Sequence, residues 1–259
     1  MTPPPDPRRS GRDLTGTGTD ETRWRSSDLL PGLPRVGADV CRPPGRVVVL
    51  APHPDDEVLG AGATLAAWAA AGTEVLVVAA TDGEGSHPGS PTLTPADLVR
   101  LRDDERRRAL QRLGLGAARL VRAGLPDGHV AAHRDELAEL LRGELRTGDT
   151  LLAPLPGDGH PDHDAVADVA SDLAAALALP MWRYAVWLWH WADPDGPDVP
   201  RDGAVAVTVE EEALADKRAA VDEFTTQVRP LSDDPRDGVI LPPGVLARLL
   251  REIEVLWTT

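Results

Sequence analysis

From Arg46 onward the chain alternates between short apolar runs and longer stretches of helical character. Residues 47–51 are continuously apolar and rich in β-branched side chains, the pattern of a strand covered on both faces. Residues 59–71 are Ala-rich, with Gly72 where a helix would end, and residues 75–80 repeat the buried-strand pattern. This unit predicts two parallel strands joined by a right-handed crossover. A loop over about 81–95 follows, then a charged helix over 96–113, a short strand near Leu120 and a helix over about 131–145. Next come a strand over 150–153, a helix over about 164–179, and strands over 184–189 and 205–209. Helices over 211–223 and 243–257 close the chain. Strands alternating with helices predict an α/β class, with a doubly wound, mostly parallel sheet and helices on both faces.

The first 44 residues lack this periodicity and are rich in Pro, Gly, Arg, Ser and Thr. They are expected to form a disordered or loosely docked arm before an α/β domain at 45–259, with Trp24, Leu29 and Leu30 able to dock. No apolar run approaches the roughly 18 to 20 residues of a membrane span. The N-terminus, with Pro3, Pro4, Pro5, Arg8 and Arg9, lacks the apolar region of a secretory signal, so a cytoplasmic location is expected.

Charge narrows the partners. Forty-two acidic residues against 27 basic ones give a net charge of -15, which argues against nucleic acid or an anionic membrane as partner. The single cysteine, Cys41, excludes an internal disulfide and any cysteine-cluster metal site.

Two clusters bear chemistry. His53, Asp55, Asp56 and Glu57 follow the first strand directly, and Asp158, His160, Asp162 and His163 follow the strand at 150–153. In open α/β sheets ligands bind beyond the carboxyl ends of the strands, so both clusters fall where a site is expected. An imidazole and a carboxylate three positions apart can converge on one ion if the turn is tight. Together the clusters offer a His-Asp-His set, and three protein ligands with an open position fit catalytic zinc. The same donors suit Fe(II), Ni(II) or Co(II), and they superficially match the triad of non-haem iron oxygenases. His, Asp and Pro are also common turn and cap residues. Either cluster alone divides evenly between structure and function; the pair at two strand ends favours function.

The run Arg46-Val-Val-Val-Leu-Ala-Pro-His-Pro-Asp-Asp-Glu57 with Gly60, and the later His160-Pro-Asp-His163, resemble the N-acetylglucosaminyl-phosphatidylinositol de-N-acetylase family, also called PIG-L or LmbE-like. Arg102 with Glu105, residues 125–128, Lys217 and Gln227 are further matching features. The resemblance covers most of the chain from Arg46. It implies a Rossmann-like, zinc-dependent deacetylase of amino sugars and related glycoconjugates, so a small N-acyl amino-sugar substrate is expected. By position it implies that His53, Asp56 and His163 bind zinc and that Asp55 is the general base. His160 would stabilise the oxyanion and protonate the leaving amine, with Asp162 orienting it. Arg102 would hold the polar head of the substrate. Asp158 stands where some members place a tyrosine that touches the reacting carbonyl.

These roles agree with elementary chemistry. Amide hydrolysis needs a strong nucleophile, and bound zinc lowers the pKa of its water to about 7. Asp55, beside a ligand, can take that water's proton, and a histidine opposite it can serve the poor leaving amine. A cationic imidazole and the metal would both face the oxyanion. An amidase acting on a thiol conjugate or another secondary amide is the alternative reaction. A metal- or sugar-binding module without turnover is the alternative class, disfavoured because binding needs no base at Asp55.

Other positions carry weaker signals. Arg102 and Glu105, at i and i+3, divide evenly between a surface pair and a functional one. Glu57 is expected to support its loop, and Asp82 and Glu84 to be solvated. His87, His129 and His133 are expected at the surface. Trp187, Trp189 and Trp191 alternate as on a strand face beneath a helix; if that strand's end reaches the site, His190 and Trp191 would line an acceptor pocket. The last helix, with Leu246, Leu249, Leu250, Ile253 and Leu256, would cover the sheet or form a contact in a homo-oligomer.

Overall fold

The computed structural model describes residue 12 and residues 14–258; the first part of the expected arm therefore lies outside the described residues. Among the described residues eight strands form one sheet: β1 (Arg35–Gly37), β2 (Val47–Ala51), β3 (Val75–Thr81), β4 (Arg119–Leu125), β5 (Thr150–Pro154), β6 (Met181–Tyr184), β7 (Ala204–Thr208) and β8 (Ile253–Thr258). Their order is β1-β7-β8-β6-β5-β2-β3-β4. Neighbours run parallel except β8, which is antiparallel to both β6 and β7. The expected doubly wound, mostly parallel sheet is thus present, with one reversed strand inside it.

Period-two alternation divides the core. Val47 and Val49 of β2 pack on one face with the helix Asp56–Ala70 and Ala109 and Leu110 of the helix Pro95–Arg112. Val48 and Leu50 pack on the other with the helices Arg134–Glu144 and Pro161–Leu177. Because successive side chains point to opposite faces, an all-apolar β2 demands cover on both sides. Thr94 and Asp97 form a reciprocal capping box at the start of the helix Pro95–Arg112, which satisfies its first free N–H groups. Among the described residues no helix is long and apolar enough to cross a membrane.

Three elements differ from expectation. The strand expected over 184–189 instead ends at Tyr184, and Leu188–Trp191 is a helical turn. The buried carboxylate of Asp158 accepts the backbone N–H groups of Val186, Trp187 and Leu188 at 3.0, 3.1 and 2.9 Å, which draws the chain off the sheet.

The helix expected over 243–257 stops at Leu249, and residues from Ile253 insert between β6 and β7 as β8. Leu246, Leu249, Leu250, Ile253 and Leu256 fit a helical spacing, but Ile-Glu-Val-Leu-Trp-Thr also suits a buried strand.

Finally, Trp24, Leu29 and Leu30 dock as expected, and residues 35–37 add a strand that was not expected. Trp24 is fully buried and its Nε1 donates to the Trp189 carbonyl at 2.9 Å, while β1 extends the sheet beside β7. Leu29, Leu30 and Leu33 join the same core, so a few large apolar side chains outweigh the Pro- and Gly-rich composition around them.

Candidate active site

The chain passes from β2 to β3 on one side and returns through β5 on the other, so β2 and β5 flank a topological switch point. Their carboxyl ends diverge there and leave a crevice. The Pro52 carbonyl is pinned by the N–H and hydroxyl of Thr81 at 3.0 and 2.9 Å. Asp55 follows at φ 139°, ψ -27°, a strained conformation for a residue with a side chain, costing on the order of 1–3 kcal/mol. It starts the helix Asp56–Ala70 one residue later and turns two successive carboxylates toward the crevice.

Three donor atoms converge. Asp56 Oδ2 lies 3.2 Å from His53 Nδ1 and 3.2 Å from His163 Nε2, and the two nitrogens are 3.3 Å apart. A tetrahedral zinc with bonds of about 2.0–2.1 Å requires ligand–ligand edges of about 3.3 Å. The triangle therefore fits the ion without rearrangement. Each histidine is also held from behind. His163 Nδ1 lies 2.7 Å from Asp158 Oδ2, and His53 Nε2 lies 3.1 Å from Asp127 Oδ1 and 3.3 Å from Asp162 Oδ2. Carboxylates on the far ring nitrogen are the usual partners of metal-binding imidazoles, fixing tautomer and ring orientation.

His160 caps the helix Pro161–Leu177, with Pro161 at its first position. Its Nδ1 accepts the Asp162 N–H at 3.2 Å, so in the neutral ring the proton sits on Nε2. The Asp162 carboxylate does not reach that ring; it accepts the N–H groups of Gly128 and Val130 at 2.7 and 3.0 Å and faces His53. Arg102 lies behind Asp55. Its Nη2 donates to Asp55 Oδ2 at 3.1 Å and to the Pro54 carbonyl at 2.8 Å, and its Nη1 donates to the Gly83 carbonyl at 2.9 Å.

Burial and charge set the protonation pattern. Burial, with Asp56 and Glu57 nearby, lifts Asp55 to about 7 against the pull of Arg102 and His53. Burial also opposes charge on Asp56, but His163 and His53 hold it well below the carboxylate range. Burial would lower His163, yet Asp56 and Asp158 raise it to about 9. His160, buried beside His53 and His163, falls to about 3.

The crevice opens into a cleft of about 250 Å³ lined by His53, Asp55, Asp56, Leu59, Gly85, Ser86, Arg102, Asp127, His160, Val186, Trp187, Gln227, Ile240 and Leu241. The structure therefore brings His53, Asp55, Asp56, Arg102 and His160 into the lining of one cleft, with His163 fully buried beside His53 and Asp56.

Two expected substrate contacts lie elsewhere. Asp158 is fully buried behind His163, its carboxylate committed to that ring and to three backbone N–H groups. Trp191 packs under the loop that carries His160. Its Nε1 donates to the Asp158 carbonyl at 2.7 Å and the Arg12 guanidinium stacks 4.2 Å from its ring. With residues 188–191 helical, Trp187 faces the cleft instead. His190 is buried against Arg248, its Nδ1 at 2.8 Å from Nη2.

Smaller expectations also change. His87 is buried, its Nε2 3.2 Å from the Gly238 carbonyl, and Glu84 accepts the Asp127 N–H at 2.9 Å rather than being merely solvated. Glu105 does not pair with Arg102; it accepts from the Thr225 hydroxyl and from both the N–H and hydroxyl of Thr226. Glu57 is fully buried 3.1 Å from Arg106 Nε. The Asp158–His163 pairing carried one sequence signal: a metal-binding histidine wants an acid on its second nitrogen, and Asp158 is five residues away.

Comparison with known proteins finds similar sequences and a similar fold. A family model described as PIG-L: GlcNAc-PI de-N-acetylase matches residues 48–174. A 1D-myo-inositol 2-acetamido-2-deoxy-alpha-D-glucopyranoside deacetylase of Streptomyces scabiei is 33% identical over 184 residues, covering 61% of this chain and 56% of its own length. A probable N-acetyl-alpha-D-glucosaminyl L-malate deacetylase 2 of Bacillus anthracis is 29% identical over 212 residues, covering 74% and 88%. The crystal structure of the A40926 pseudoaglycone deacetylase Dbv21 superposes with a TM-score of 0.54 and 28% identity, covering 74% of this chain and 86% of that one. The chain spans about half the length of several curated relatives it matches.

Proposed function

Because this chain carries a PIG-L family domain at residues 48–174, we propose that it is a zinc-dependent hydrolase removing an N-acetyl group from an amino-sugar glycoconjugate. The observation that carries the reading is the donor triangle of His53, Asp56 and His163, with edges of 3.2 to 3.3 Å, beside Asp55 and His160. A divalent ion held there would supply Lewis acidity and a water acidified to a pKa near 7.

The remaining steps fall to side chains of the cleft. Asp55 takes a proton from the attacking water as the new C–O bond forms. His160, with its proton on Nε2, donates a hydrogen bond to the carbonyl oxygen as it gains charge. When the C–N bond breaks, the amine takes the proton that Asp55 accepted from the water, which returns the carboxylate to its charged form. Arg102 holds the Asp55 turn and presents its guanidinium edge to the cleft. Trp187, Asp127 and Gln227 offer an aromatic face and polar groups of the kind a sugar ring uses. A small substrate and a cytoplasmic location belong to the same reading.

Metal analysis of the purified protein, paired with acetate release from N-acetylglucosamine derivatives, tests it. About one zinc per chain with acetate released supports the proposal. Metal without acetate from any amino sugar would sink the reaction, and absence of metal would sink the site.

A further inference from the structure

The helix that carries Asp56 is broken. Ala61 sits at φ -147°, ψ 19°, outside the helical region, only five residues after the metal-facing carboxylate. In an unbroken helix the Leu59 carbonyl would accept the N–H of Ala63. Instead Lys217 Nζ donates to the Leu59 carbonyl at 2.8 Å, and Glu254 Oε1 accepts the Ala63 N–H at 2.9 Å. Lys217 and Glu254 meet at 2.7 Å, and the second Glu254 oxygen accepts the Thr64 N–H at 2.7 Å. An ion pair thus occupies the place of one main-chain hydrogen bond, capping the end of the first helical piece and the start of the second.

The surrounding residues are fitted to that break. A Cβ on Gly60 would lie 2.1 Å from the Tyr184 ring, whose hydroxyl donates to the Leu50 carbonyl at 2.8 Å at the end of β2. A Cβ on Gly62 would lie 3.3 Å from the Lys217 stem. Lys217 is the only lysine in a chain that otherwise uses arginine for basic charge. A compact ammonium on a flexible stem can enter a gap one hydrogen bond wide, whereas a planar guanidinium cannot. Both partners are buried, so the pair carries a desolvation cost that an apolar pair would not, and net stability is weak grounds for its presence.

We infer that the Lys217–Glu254 pair is a positioning device, an ionic splint in the helix Asp56–Ala70 that sets the angle at which Asp55 and Asp56 approach His53 and His163. Residues 56–60 form a short helical piece held at one end by the strained Asp55 and at the other by the splint. Without the splint, the Leu59 carbonyl and Ala63 N–H recover each other only if the helix straightens, and straightening swings Asp56 away from the two imidazoles. This inference rests on the metal reading for its consequence, but the splint itself can be tested apart from it.

The test uses full-length K217M/E254M and E254Q. The double variant fills the gap with apolar groups of similar length; Glu254→Gln keeps an amide acceptor and removes the charge. Three readouts are compared with the parent: melting temperature, zinc affinity by competition with a chromophoric chelator, and hydrogen exchange of peptides covering residues 53–64. The splint predicts altered exchange confined to that segment and zinc binding weakened by about tenfold or more, in a variant whose melting temperature stays close to the parent's. Parent-like exchange and zinc affinity in a folded variant of either kind would overturn it. If the parent itself binds no zinc, the metal reading fails, and the exchange of residues 53–64 still decides the splint. If the double variant does not fold, E254Q carries the comparison.

Discussion

Asp158 and His163 are joined by a 2.7 Å contact between Oδ2 and Nδ1 with both side chains fully buried, which leaves His163 Nε2 as the atom facing Asp56 and His53. Asp158 also accepts three backbone N–H groups, so it fixes the imidazole and folds residues 186–188 at once. Glu or Asp beside a ligating histidine raises its basicity and holds its tautomer. Asp158→Asn should therefore lower zinc affinity by about 10- to 100-fold, measured by chelator competition. Asp158→Ala, which removes every acceptor, should also lower the melting temperature clearly. Unchanged affinity in a folded D158N protein would remove Asp158 from the metal site.

Base and ligand should separate by mutation. Asp55→Asn keeps the donor triangle, so metal content should stay near the parent's while acetate release falls by about 10²- to 10⁴-fold. His163→Ala opens the triangle and should lose the metal first. Elemental analysis and acetate release on the same preparations check both. Near-parent turnover in D55N would show that another group takes the proton.

Metal removal should cost stability as well as turnover. An ion that binds only the folded chain stabilises it by RT ln(1 + [L]/Kd), about 2.7 kcal/mol at a hundredfold excess over Kd. Zinc added to chelator-treated protein should raise the melting temperature in a concentration-dependent way, and His163→Ala should abolish the rise. A rise that survives in the variant would place the stabilising ion elsewhere.

The lone thiol offers a pH readout far from the cleft. Burial raises Cys41 to about 11, and its Sγ lies 3.7 Å from the Ala38 carbonyl. A raised thiol pKa means less thiolate at any lower pH. At pH 8 only about one thiol in a thousand is ionised, against roughly one in four for an ordinary thiol. Reaction with a disulfide reagent should be slow at pH 8 and should climb about tenfold per pH unit toward pH 11. Rapid labelling of the folded protein at pH 8 would contradict this burial.

Much of this was legible locally. Residues 47–51 and 75–80 read as buried strands because every position is apolar, and the crossover rule then fixes their relation. The site was legible because both histidine clusters follow strand ends, and the resemblance supplied the family. What stayed hidden depends on contacts remote in sequence. Nothing near residues 253–258 says that they pass between β6 and β7 rather than continue a helix. The turn at 188–191 is imposed by Asp158, some 30 residues earlier. His87 is buried by the Gly238 carbonyl 151 residues later.

Trp24, expected to dock from the first 44 residues, does so, and it gives a stability test of that segment. It is fully buried, stacks edge-on to Trp189 at a centroid distance of 5.0 Å, and donates Nε1–H to the Trp189 carbonyl at 2.9 Å. The Arg251 guanidinium lies 4.7 Å from the Trp189 ring and is paired with Glu21 at 2.8 Å, so the same short helix is tied to the end of the chain. Truncation would leave a cavity and an unpaired carbonyl. Trp24→Ala should destabilise the protein by about 3–5 kcal/mol, read as a fall in the urea midpoint at unchanged slope. Zinc affinity should hold wherever the variant remains folded, because Trp24 lies outside the lining of the cleft. A loss below about 1 kcal/mol would mean that residues 21–37 add to the sheet without being needed by it.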